Sequence, residues 1–150
     1  MLSVIDIIGA LSPKLESVFP DFPVNDRDEK EGFARPSFFV DIENVVDDII
    51  AQGFVRETAN LTIYFFAEDV YKGFLRLLEV KETLRDMLEE PLRIENGDEK
   101  AHITFDDVTI EVSKADKALK AELSAVLIQK SKAPDSMNPE MTMELETNFN

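Results

Sequence analysis

The sequence predicts an α+β protein: a mostly antiparallel sheet packed against an N-terminal helix and one long central helix. Two observations carry the prediction. Apolar and polar residues alternate over 37–45, 55–66 and 108–112, the two-residue period of half-buried strands. Apolar residues recur at helical spacing over 4–19 and 69–90. The Asn96-Gly97 pair, set between two short runs, adds a hairpin because it supplies the positive φ of a tight turn.

Along the chain, Val4, Ile8, Leu11, Leu15 and Val18 form the first stripe. Gly9 and Pro13 interrupt it and Ser12 can cap a second segment, so the stretch reads as two short helices or one kinked helix. Pro20 and Pro23 end it, "FPVN" reads as a short strand, and "DRDEKEG" at 26–32 is a charged loop. In the strand at 37–45, Phe38, Val40 and Ile42 take the buried face, while Phe39 stands beside Asp41 and Glu43 on the polar face. "DDIIAQG" reads as a connection ending at Gly53.

In the next strand, Ala59, Leu61, Ile63 and Phe65 share one face, and Thr58, Asn60, Thr62, Tyr64 and Phe66 the other. Such Thr and Tyr enrichment suits a half-exposed sheet surface. Val70, Phe74, Leu77, Lys81, Leu84 and Leu88 mark the central helix, which Pro91 stops. Leu92–Glu95 and Ala101–Phe105 flank the hairpin turn. Residues 115–128 carry helix-favouring composition, yet Leu119, Ala121, Leu123, Ala125 and Leu127 alternate; strand is the reading adopted. Residues 1–130 therefore make a single domain, and 131–150, with Pro134, Pro139 and three methionines, a flexible or arm-like tail.

Charge narrows the function. The 150-residue chain holds 31 Asp and Glu against 16 Lys and Arg, a formal −15. Nucleic-acid binding draws on basic groups against phosphates, so a DNA or RNA ligand is not expected. Three uses of the excess remain: solubility, imitation of DNA, or lining a channel that DNA must pass without adhering. The chain has no cysteine, which removes disulfides, thiol nucleophiles and thiolate metal sites. No apolar run reaches the roughly 20 residues of a membrane span, and no secretory leader is expected. A protein kept in the cytoplasm, without membrane contact, fits this composition.

Catalytic chemistry is not indicated. His102 is the single histidine, on the polar side of an expected strand, with no second imidazole to share a metal. The five glycines are scattered, so no phosphate-cradling loop forms. The doublets Asp47-Asp48, Glu89-Glu90 and Asp106-Asp107 read as solvated surface, and "ENGDEK" lacks the spaced acids of a calcium loop. No catalytic, cofactor-binding or metal-binding residue is assigned.

The segments "SVIDIIGAL", "FPDFPV", "KEGFARPSFFVDIENV", "LTIYFF" and "VYKGFLRLLEVKETLRDML", in that order, resemble the phage tail terminator family of Gram-positive phages and prophages. The likeness covers roughly 3–112 and centres on "F-x-RPSFF" and on "YFF" before an acidic helix start. It implies an α+β, non-enzymatic structural protein of virion assembly that caps the tail tube, ends its polymerisation and forms part of the head–tail joint. It further implies a homo-oligomeric ring, usually of six, with a tail-tube protein and a head-completion protein as partners and DNA passing through unbound. Host cytoplasm during assembly and then the virion tail are the implied locations. An acidic DNA mimic or adaptor for a basic partner protein is the competing reading.

A ring needs two unlike patches. One is assigned to the Thr62/Tyr64/Phe66 strand face, the other to the surroundings of Arg35 and Phe39, with Asp41 as a further expected interface residue. Phe39 is either a subunit contact or covered by the chain's own loop. Asp26, Asp28, Glu29 and Glu31, with Glu95, Asp98 and Glu99, are the expected lumen acids.

Overall fold

A computed structural model describes residues 1–25, 35–68 and 73–130. Helix α1 (Val4–Val18) leads into β1 (Val24–Asn25), then the long strands β2 (Ser37–Ala51) and β3 (Phe54–Phe66). Helix α2 (Gly73–Glu89), the hairpin β4 (Leu92–Asn96) and β5 (Glu99–Ile103), and the strands β6 (Phe105–Ser113) and β7 (Ala118–Lys130) complete it. The main sheet runs β1-β2-β3-β7-β6, antiparallel except for the parallel β1–β2 contact. This is the expected α+β architecture. The central helix is only partly as long as expected, at 17 residues, and the positions 69–72 assigned to its start lie outside the described residues.

One face of the sheet makes the core. Phe38, Ala59, Leu61, Ile63, Phe65, Leu119, Ala121, Leu123, Ala125 and Leu127 are all buried there. Against them lie Ile7, Leu11 and Leu15 of α1, and Leu77, Val80, Leu84 and Leu88 of α2, in one continuous cluster. Val80 and Met87 fill part of the α2 seam, whereas Lys81 from the expected stripe is half-buried at its edge.

Several local expectations are corrected. Of the two expected forms of the first stretch, two short helices are excluded: α1 runs as one helix through Pro13. Proline removes one backbone donor, but Leu11 and Leu15 on either side are fully buried, and keeping both in the core outweighs that bond. The helix is capped at Ser3, whose N–H donates to the Asp6 carboxylate at 2.8 Å, so Ser12 caps nothing. "DDIIAQG" is mostly strand: β2 continues to Ala51 and turns through Gln52-Gly53, where Gly53 takes a φ of 83°. The second hairpin turns at Gly97-Asp98, one residue later than expected, and Phe105 belongs to β6 rather than to the hairpin. β6 itself starts at 105 and includes a register shift between Asp106 and Thr109. The composition conflict at 115–128 resolves as strand, because alternate burial of five residues in the sheet core overrides local helix propensity.

Candidate functional site

Strand pairing brings the two expected contact sets together. Phe39 lies opposite Tyr64, and Asp41 opposite Thr62. On the sheet face turned away from the helices, the rings of Phe39 and Tyr64 stack 6.1 Å apart, and those of Tyr64 and Phe66 6.0 Å apart. The Arg35 guanidinium stands 5.5 Å from the centre of the Phe66 ring, and its Nη1 donates to the Ala67 carbonyl at 3.0 Å. Arg35, Phe39, Asp41, Thr62, Tyr64 and Phe66 thus form one patch, not two.

Within the patch, Phe39 (7% exposed) and Thr62 (1%) are buried by the chain itself. Arg35 is exposed, and Asp41, Tyr64 and Phe66 are partly so. A shallow pocket of about 300 Å³ opens beside Tyr64 and Phe66, rimmed by Arg35, Lys120, Glu111 and Asp116. Burial, then the Glu43 and Asp41 charges, push the Tyr64 phenol above its ordinary 10.0 against the opposing pull of Lys120. The phenol is therefore a neutral donor at physiological pH. Further along the same face, Thr62 donates to Glu43 at 2.9 Å, Ser124 to Asn60 at 2.6 Å, and Asn60 to Asn44 at 2.6 Å. This polar row crosses three strands and fixes the register of the face.

Beyond that row lies a surface the sequence reading missed. The far half of the β2–β3 hairpin exposes Val45 and Ile49 on the helix side of the sheet and Val46 on the other, where Ile128 of β7 is also exposed across β3. Ile49 is 83% exposed and Ile128 59%. An apolar strand end exposed on both faces covers nothing in its own domain. Partner contact is the usual meaning of such a patch. The signal was present: Gln52-Gly53 sits between two apolar runs, a hairpin signature read instead as a connection.

Glu57 marks the root of this hairpin. It lies opposite Asp47, and its carboxylate accepts the Val4 N–H at 3.1 Å. Burial, then the Asp47 charge, raise its pKa above the ordinary 4.5, although the Val4 bond pulls it down. In the window between that ordinary value and the raised one, the folded chain holds more protons than the unfolded, so stability falls as pH rises. Glu57→Gln should keep the bond to Val4 and lose this penalty. Urea midpoints of both proteins from about pH 7 down to 4.5 check it: the variant's advantage should shrink on acidification. A difference that is constant or grows would refute the assignment.

The expected lumen acids divide. Glu95, Asp98 and Glu99 are exposed around the tip of the β4–β5 hairpin. Glu95 pairs with Arg93 at 3.4 Å, and Glu99 with the N-terminal amine. Asp26, Asp28, Glu29 and Glu31 lie outside the described residues. His102 is exposed on β5 opposite Arg93. Among the described residues no group of three or more His, Asp or Glu converges to hold a metal, and no helix is long and apolar enough to cross a membrane.

An aromatic patch and a hairpin end with exposed apolar side chains are the surface features of the described residues that suit contact with other proteins. The sequence matches the phage tail terminator proteins over residues 6–137, and the chain belongs to that family. It is thereby a structural protein of the phage tail, from a family not known for enzymatic activity. No curated protein matches the chain.

Proposed function

We propose that the protein caps the end of the tail tube as a ring of copies, six by family resemblance. There it stops tube polymerisation and forms part of the joint to the head. The observation that carries this reading is the β2–β3 hairpin end, with apolar side chains exposed on both faces among its charges, standing beyond the aromatic patch of Arg35, Tyr64 and Phe66. These two areas supply the unlike surfaces that a head-to-tail contact needs. The acids Glu95, Asp98 and Glu99, with those at 26–31, would face the DNA path and keep phosphates from adhering. At −15 per copy, self-repulsion should hold the free protein apart at low salt.

Electron microscopy of the protein mixed with its own tail tubes tests the proposal. Ring density should cap one tube end, and protein added before polymerisation should arrest tube growth. Bare tube ends, with a strict monomer by light scattering across salt and concentration, would overturn it. Tight DNA binding at physiological salt would overturn the channel reading.

A further inference from the structure

A groove of about 740 Å³ lies between α2 and β6, at the edge of the sheet opposite β1. Leu88, Phe105, Val108 and Ile110 give it an apolar lining, and Lys81 and Arg85 stand along its helix wall with Glu89. In a chain with twice as many acids as bases this wall is unusual. Arg85 has only its neighbour Asp86, at 3.9 Å, and Lys81 has no ion pair among the described residues. β6 is also an edge strand: among the described residues its sole partner is β7, so its outer main-chain groups are open to a further strand.

We infer that this groove receives the C-terminal segment Met141–Glu146 of a second copy. The inference rests on the self-association proposed above. Met141, Met143 and Leu145 alternate with Thr142, Glu144 and Glu146, so an extended segment presents an apolar row and an acidic row. The apolar row fits the floor, where unbranched methionines adapt to an irregular surface. The acidic row fits Lys81 and Arg85. Lengths are compatible: six extended residues span roughly 17–20 Å, and β6 from Phe105 to Ser113, even with its register shift between Asp106 and Thr109, is at least as long.

Residues 131–140 form the spacer after β7 ends at Lys130, and Pro134 and Pro139 bias the residues before them toward extended backbone. The segment lies past residue 137, outside the stretch shared with the family, so the contact would be particular to this chain. Groove and segment are unlike patches on one chain, which makes the contact head-to-tail.

The test is a fluorescent peptide of residues 138–150 titrated into protein truncated after residue 137, and into dilute, monomeric full-length protein. Both should bind it. Lys81→Glu with Arg85→Glu should weaken binding by about tenfold or more, and a peptide carrying Glu144→Lys and Glu146→Lys should restore it. Thermal melting of the double variant and of the truncated chain confirms that each is folded. No binding, or binding indifferent to the charge reversals, overturns the inference. Binding to the truncated chain alone would show that each segment occupies its own groove, which overturns the assignment to a second copy. None of these readouts uses tail tubes, so bare tube ends beside intact peptide binding would refute the capping role alone.

Discussion

Phe38→Ala should destabilise the protein by about 3–5 kcal/mol, a large share of the roughly 5–15 kcal/mol that holds a domain folded. Phe38 is fully buried. Its ring lies 4.7 Å from Phe65, 4.8 Å from Phe19 and 6.2 Å from Phe22, all tilted rather than parallel. Those partners come from β3, from the end of α1 and from the turn before β1. One side chain therefore joins the sheet to the first helix. Denaturation in urea should show the midpoint fall with little change in slope. Phe38→Leu, which keeps most of the volume, should cost much less. Equal costs for the two variants would mean that the site collapses around the loss and is no keystone.

The opposite behaviour is expected at the hairpin end. Ile49→Asp should change stability by no more than about 0.5 kcal/mol, because that side chain is 83% exposed, and adding Val46→Asp, at a half-exposed site, should cost about 1 kcal/mol more. Capping of tail tubes should nevertheless fall by roughly thirtyfold or more, the loss typical of a buried contact centre worth about 2 kcal/mol. Part of that loss would come from charge added to an already acidic strand that carries Asp47 and Asp48. Val46→Thr with Ile49→Thr removes apolar surface without adding charge, and should show a smaller loss in the same direction. If both pairs of substitutions cap normally, the hairpin is not the contact, and the aromatic patch must serve alone.

The legible parts of this fold were those with a local cause. Alternation in β3 named both of its faces correctly, and alternation in β7 outweighed a helix-favouring composition. The illegible parts depended on pairing between segments far apart in sequence. Nothing local shows that Phe39 lies against Tyr64, so one patch was read as two. Pairing of β2 with β3 also extends β2 to Ala51, through acids and isoleucines that taken alone resemble a linker. The groove was unreadable for a similar reason: its helix wall and strand floor are separated in sequence by the β4–β5 hairpin and meet only in the folded chain.

The pairing of β3 with β7, unbroken from Phe54–Lys130 to Phe66–Ala118, has a mechanical consequence. Tension applied to the hairpin end along the strand axis would act on all thirteen residue pairs in shear, so they would share the load. Tension across the sheet would instead peel them apart one at a time. A tail-end protein held by this hairpin would thus resist pulling along its strands far better than prying from the side, and the direction of the strands in the assembled particle would set how much force the joint bears.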